Sequence, residues 1–415
     1  MPHNRRMRGL GRGLGAIFLS AVLVFASSAE AKQSGFGSGG FAHGSSRNAL
    51  TIVGSSFAVA RLRLDGTRSP AFGRDGIARA SFPGFPSATS LDALVRRDGR
   101  IVVSGYVTEK CEGPRGHQCG RHLALARFTA SGRLDRKFGR DGTVVFDDRA
   151  AMGAHVAELP GGRLAVAGKT RSGLPLLVRL GPDGFLERPR AEKVLHALPG
   201  AGRLRSGRAE GVAHLPDGRE IVSLYGSGPQ GRVNGLVAFT PGGRVDANGF
   251  GDAGFLTELP AGVVFDPYGF DFAVLPDGGL LLAATTRERP TKPVLVRLLA
   301  DGHLDQVFGS GGVSVGPSID IRSNVDLALQ SDGKAVVAAA TYDGSALARF
   351  DSGGATDTTF GSGGATAPME SWGYRVSLAV LPDGAVALAD NDRQLSGLLV
   401  SLYAPDGTRI FLARL

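Results

Sequence analysis

Two cysteines, one tryptophan and four methionines are all that a chain of 415 residues holds of those types. Two cysteines cannot build a disulfide-stapled scaffold. The single Trp372 leaves no tryptophan platform for stacking sugar rings. Only 20% of residues are charged, which excludes a coiled coil or a long helical bundle. No G-x-S-x-G, H-E-x-x-H or lysine-bearing P-loop occurs, so three common catalytic classes lack their signatures. The S-x-D-x-G-x-x-W box of propeller sialidases is missing too. What the chain does have is glycine, 63 of it, with 22 prolines and 42% apolar residues. That apolar content excludes a disordered chain. Glycine does not recur at every third position, which excludes collagen. A turn-rich, all-β protein remains.

Residues 1–31 read as a signal peptide. Arg5, Arg6, Arg8 and Arg12 form a basic start, residues 14–26 an apolar run of thirteen, and Ala29 and Ala31 a small-x-small cleavage site. The run is too short for a permanent bilayer span, and no second apolar stretch reaches membrane length. The expectation is a secreted, extracytoplasmic protein with no stable membrane span once the leader is removed. Its formal charge of +9 falls to about +6 on cleavage. The most basic stretch, residues 188–208, contains no aromatic residue, so stacked bases have no platform and nucleic acid is not expected as a partner. Its other reading is attraction to anionic envelope polymers. Cys111 and Cys119 sit in a Gly-rich insertion, residues 109–121, and a local disulfide is expected in an oxidising compartment. His117 and His122 nearby offer a Cys2His2 zinc alternative, although the spacing is tight for a tetrahedron.

Internal self-similarity is the strongest signal. The run LDALVRRDGRIVVSGY (91–106) is followed by HLALARFTASGRLDRKFGRDGTVVF (122–146). VDLALQSDGKAVVAAATY (325–342) is followed by ALARFDSGGATDTTFGSGG (346–364). Each unit reads as an apolar strand, an Asp-Gly turn, a second strand, a variable loop, a third strand, a second turn, then LD-x-x-FG-x-x-G and a last strand. Asp-Gly between apolar runs is a strong hairpin signal, because the turn needs positive φ at its centre. The first-turn glycines are Gly99, Gly162, Gly218, Gly278, Gly333 and Gly384, which sets a unit of roughly 57 residues. Four short strands fit that length. One such sheet has two faces to bury and cannot bury them alone, so stacking around an axis is expected. Third-strand segments occur seven times, which predicts a seven-bladed β-propeller of four-stranded antiparallel blades over residues 32–415. The FG-x-x-G element appears from Phe72, Phe138, Phe250, Phe308 and Phe360, and again at Phe36–Gly40. The last unit lacks one, so the N-terminal strand is expected to complete the last blade and close the ring. Unit three departs from the pattern, with GFLERPRAEKVL (184–195) in place of FG-x-x-G.

The combination of GxLDxxFGxxG, LPDGxxxxAG and ALARF resembles the delta-sixty repeat family of bacterial β-propellers. The resemblance covers nearly all of residues 36–415. It implies a propeller in a bacterial extracytoplasmic setting, and no assigned activity.

One repeat position carries candidate site residues. Seven residues before each first-turn glycine stand Asp92, His155, Gly211, Asp271, Asp326 and Ser377. The first strand is expected beside the axial channel. Asp92, His155, Asp271 and Asp326 could therefore ring its mouth and hold a divalent cation or a polar ligand. The alternative is that each side chain bonds backbone amides of its own or the adjacent blade. The repeated Arg61, Arg127, Arg179, Arg297 and Arg349 are too regular for one active site and are expected to bridge blades. No residue is expected to be catalytic and no cofactor is required. The functional expectation is a monomeric binding or scaffold module with an envelope component as partner. A hydrolase or lyase on an envelope polymer, using the axial Asp/His cluster, is the alternative.

Overall fold

The structure is a computed structural model that describes residues 22–25, 49–54, 57–96, 98–110, 120–146, 150–187, 192–260, 262–264, 270–371, 376–391 and 398–414. It is an all-β propeller of antiparallel sheets joined in chain order. The repeat grammar folds as read. In the second sheet, Ser87–Val95 pairs with Ile101–Thr108 across the Asp98-Gly99 turn, then come Arg121–Phe128 and the short Thr143–Val145. Gly99 takes φ +78, the conformation that reserves the position for glycine. Ala150–Leu159, Arg163–Thr170, Pro175–Leu180 and Glu192–Val194 form the third sheet. Ser206–His214, Glu220–Gly228, Gly231–Phe239 and Phe255–Leu256 form the fourth. The middle strands are buried on both faces, since each sheet is sandwiched between two others. The apolar side chains of Ile101–Thr108, for example, share one core cluster with Val59 of the first sheet and Val156 of the third.

Two expectations need correction. Seven four-stranded blades are not what forms. Six sheets reach the four strands of a complete blade, one of them with five, so by complete blades the propeller is six-bladed. The sheet of Ile321–Leu329, Ala335–Thr341 and Ser345–Phe350 stops at three. Where its fourth strand would run, only the single bridges Ala348↔Ala365 and Ser345↔Met369 remain. Pro368 lies between them and has no amide hydrogen to continue a ladder. A two-stranded ribbon, Ala197–Leu198 with Gly202–Arg203, stands outside the blades.

The second correction concerns the last blade. Its fourth strand is Arg409–Arg414 from the C-terminal end, paired Leu399↔Arg414 through Leu402↔Phe411. A segment without FG-x-x-G can still pair, because a strand needs only the alternation found in RIFLAR. An N-terminal strand is therefore not what completes that sheet, and Phe36–Gly40 lies outside the described residues. The strand Val22–Phe25 pairs instead with Ala49–Gly54 in the first sheet. Among the described residues no helix is long and apolar enough to cross a membrane.

Adjacent sheets are joined by a recurring clasp. Among the described residues, the phenylalanine of each FG-x-x-G lies beneath the second-turn glycine of the next sheet. A Cβ at Gly184 would come within 2.7 Å of the Phe138 ring, and one at Gly354 within 2.8 Å of Phe308. The amide that follows each phenylalanine donates to the same turn, Gly139 N–H to Asp183 O at 2.7 Å and Gly361 N–H to Asp406 O at 2.7 Å. The third-strand arginine completes the joint. Arg127 donates through Nε to Asp135 at 2.9 Å and through Nη1 to the Pro182 carbonyl of the next sheet, and its guanidinium lies 4.5 Å from the Phe138 ring centre. Arg349 repeats this with Asp357, Pro405 O and Phe360.

Candidate functional site

The first strand of each sheet lies at the sheet's inner edge, against the first strands of its neighbours. A one-residue bulge precedes the candidate position, between Ser90 and Asp92 in the second sheet and between Ala209 and Gly211 in the fourth. Asp92, Asp271 and Asp326 are fully buried there. Their carboxylates follow one rule. One oxygen accepts from the amide of the next residue, and the other from an amide of the adjacent sheet. Asp92 takes Ala93 N–H at 2.6 Å and Val156 N–H at 2.8 Å. Asp271 takes Phe272 N–H at 2.7 Å and Leu327 N–H at 2.9 Å. Asp326 takes Leu327 N–H at 3.0 Å and Leu378 N–H at 2.9 Å. Each amide of the adjacent sheet belongs to the residue that follows the same repeat position.

The four candidates come together as two pairs. His155 Nδ1 is 3.5 Å from Asp92 and makes no hydrogen bond among the described residues. Asp271 and Asp326 share a hydrogen bond. Burial, and then the charge of Asp92, push Asp271 up to about 7. Burial, and then Asp271 itself, push Asp326 well above the ordinary carboxyl range. Such a pair holds a proton between its members. Among the described residues no group of three or more His, Cys, Asp or Glu is arranged to hold a metal ion.

Cys111 and Cys119 lie outside the described residues. The base of their loop is tied by Glu109 N–H to Gly120 O at 2.9 Å. His122 is engaged at both ring nitrogens, Nδ1 at 3.1 Å from Phe146 O and Nε2 at 2.5 Å from Glu109 Oε1.

A second site was not found from the sequence. At the inner strand's turn end, the first cross-strand pair is apolar in most sheets: Val95↔Ile101, Val274↔Leu280, Leu329↔Ala335 and Val380↔Val386. In the fourth sheet it is His214↔Glu220. This sheet faces unit three, the unit without FG-x-x-G. The clasp is consequently different. Gly243, the second-turn glycine, faces the Arg179 guanidinium, with Nη1 3.0 Å from where a Cβ would sit. Arg179 reaches across to Glu220, with Nε 2.9 Å from Oε1. Arg163 turns to Glu187 at 3.4 Å. A cleft of about 460 Å³ opens between these groups, Pro216 and Pro241. His214 is half-buried, and its Nδ1 is buried with no hydrogen-bond partner among the described residues. Burial first, with Arg163 adding, pushes its pKa below the ordinary histidine value, against the pull of Glu220 and Asp217. A neutral imidazole between two fixed ion pairs can accept or donate one hydrogen bond to a polar group entering the cleft. No serine, threonine, cysteine or lysine stands among the cleft-lining residues.

Residues 330–360 match a family described as a domain of unknown function (DUF5122) beta-propeller. No curated protein matches the chain in sequence. Solved structures similar in fold include hydrazine synthase of Kuenenia stuttgartiensis, at TM-score 0.49 and 10% identity over 86% of this chain and 92% of that one. A protein from Lactobacillus plantarum gives TM-score 0.47 and 12% identity over 92% and 95%. BamB from Moraxella catarrhalis gives 0.38 and 12% over 87% and 80%. At these scores and identities none of them assigns a function.

Proposed function

We propose that this chain is an exported, extracytoplasmic binding or scaffold module, and that the cleft between the third and fourth sheets receives a polar group of an envelope partner. The observation that supports this reading is the His214–Glu220 pair. It stands where four other sheets carry an apolar cross-strand pair, beside unit three, which departs from the repeat motif. A polar substitution in a buried repeat position costs stability unless it is satisfied, and His214 Nδ1 finds no hydrogen-bond partner among the described residues. The hydrolase or lyase reading draws on the axial carboxylates, whose oxygens already accept backbone amides. No described observation favours it.

The test is hydrogen exchange on the complex formed when purified protein is incubated with an envelope extract. Protection is expected over residues 158–163, 179–187 and 214–220. His214→Leu, which restores an apolar residue, should abolish that protection and the binding while keeping the fold. Binding that His214→Leu leaves intact, or protection confined to other segments, overturns the cleft.

A further inference from the structure

Three residues before the first-turn glycine, four units carry leucine: Leu159, Leu215, Leu275 and Leu381. The second sheet has Arg96 there, ion-paired to Glu158. The sixth sheet, Ile321–Leu329 with Ala335–Thr341 and Ser345–Phe350, has Gln330. The backbone is the same as in a leucine unit. Gln330 N–H donates to Lys334 O at 2.8 Å, as Leu275 N–H does to Gly279 O at 2.8 Å. Only the side chain differs, and Gln330 is 7% exposed. Its Nε2 donates to Gly384 O at 2.7 Å, in the first turn of the seventh sheet, between Val376–Val380 and Val386–Asn391. A carbonyl oxygen only accepts, so this bond fixes which end of the amide faces Gly384. The other end, Oε1, is buried and has no hydrogen-bond partner among the described residues. A buried acceptor left unpaired costs stability.

Gln330 and Gly384 both line a cleft of about 440 Å³ between the sixth and seventh sheets. Three turn carboxylates line it as well, Asp332, Asp383 and Asp406. Each accepts one turn amide: Lys334 N–H at 3.2 Å, Ala385 N–H at 3.0 Å and Thr408 N–H at 2.9 Å. Two cations share the lining, Lys334 and Arg349, and a carboxylate outside it holds both. Arg349 Nε lies 2.8 Å from Asp357, and Lys334 Nζ lies 3.0 Å from it. Lys334 Nζ is 3.9 Å from Asp332. Asp383 and Asp406 enter no ion pair among the described residues. The cleft and Asp357 together therefore carry more carboxylates than cations, and the unpaired end of Gln330 is a further acceptor. Both features call for a cation that donates hydrogen bonds.

We propose that the cleft between the sixth and seventh sheets binds a guanidinium group. A metal ion is the poorer match, because no three His, Cys, Asp or Glu among the described residues are arranged to hold one. A guanidinium spreads its charge over five N–H donors in one plane. It can serve turn carboxylates and the glutamine oxygen together, whereas an ammonium group is a single point charge. An arginine side chain and a free guanidinium-bearing solute offer the same chemistry. The site lies at a different seam from His214 and uses none of its residues. Its failure therefore leaves the His214 test untouched, and the reverse holds too.

Titration calorimetry of the purified chain with N-acetyl-arginine amide, at low and at physiological salt, tests it. Saturable binding is expected at one site, weakening as salt rises. The matching lysine amide should bind more weakly. Gln330→Leu places there the residue of four other units. It should reduce the affinity about tenfold, while the thermal midpoint holds or rises, which separates lost binding from lost fold. Asp383→Asn keeps the acceptor for its turn amide. It should lower the affinity about two- to fivefold with the midpoint unchanged. An arginine-containing peptide that binds more tightly than the amide points to a protein as the source, and the reverse order to a free solute. No saturable binding, an affinity unchanged in Gln330→Leu, or equal affinity for the lysine amide overturns the proposal.

Discussion

Phe138 lies directly beneath Gly184, in van der Waals reach of a backbone that has no room for a methyl group. The two residues belong to adjacent sheets, and Gly139 N–H donates to Asp183 O on the same turn. Gly184 also sits at φ +86. Gly184→Ala thus meets two costs, strain at positive φ and a collision with the ring. Together they should destabilise the fold by about 2–4 kcal/mol. Gly161→Ala separates the two, because Gly161 has φ +77 with nothing within 4 Å of a Cβ. It should lose only about 1 kcal/mol. Thermal or denaturant unfolding of both variants checks the difference, and equal losses would rule out the clasp.

Arg127 tests the polar half of the same joint. Its guanidinium bonds Asp135, reaches the Pro182 carbonyl and covers the Phe138 ring. Arg127 and Asp135 are both nearly buried. Arg127→Met removes one charged partner from a buried carboxylate that retains Arg100 at 3.2 Å, at a cost of about 1.5–3 kcal/mol. The double variant Arg127→Met/Asp135→Leu should recover a large part of that loss. An unchanged midpoint in the single variant would mean that the arginine is not what joins the sheets.

Much of this architecture was legible because hairpins are local. Asp98-Gly99 between LDALV and IVVSG is enough to place two strands and their turn, and Gly99 does take positive φ. The axial aspartates were legible as a repeat position. Their use was legible only as one of two alternatives, backbone amides of their own or the adjacent blade, and the particular partner was not, because Asp92 meets Val156 across a sheet boundary 64 residues away. The Phe138–Gly184 contact escaped for the same reason. Each partner recurs in most units, yet recurrence alone does not say that one unit's phenylalanine meets the next unit's turn. Pro368 was the readable sign that the three-stranded sheet would stop short. His214 and Glu220 were the readable sign of the cleft, had the cross-strand register been in hand.

Val22–Phe25 pairs with Ala49–Gly54 from Val22↔Val53 to Phe25↔Leu50. It also lies inside the apolar run read as the leader. Cleavage after Ala31 would remove this strand and expose Ala49–Gly54 as the inner edge of the first sheet. The expected first residue of protein recovered from outside the cytoplasm is Lys32. Its amides at 49–54 should then exchange faster than those of Ile101–Thr108, which keeps a neighbour on both sides. N-terminal sequencing decides the first point and hydrogen exchange the second. A mature chain that still begins at Met1 would sink the leader and leave the strand in place.

The Asp271–Asp326 pair makes the fold sensitive to pH in a direction opposite to most carboxylates. An unfolded aspartate releases its proton near about pH 3.9. Folded Asp271 holds its proton up to about pH 7, chiefly because it is buried. The native state therefore binds more protons than the unfolded state between these values, and stability falls as pH rises through that window. The pair's contribution is complete below about pH 4 and falls as Asp271 ionises; Asp326, also raised by burial and by Asp271, adds to the fall. Asp271→Asn keeps one acceptor for the backbone but cannot ionise. It should be less stable than the parent at pH 4, by about 1–2 kcal/mol for the lost amide bond. Its own curve should be flatter toward pH 8, so the two midpoints converge or cross. Parallel curves for parent and Asp271→Asn across that range would mean that the two carboxyls do not share a proton in the folded propeller.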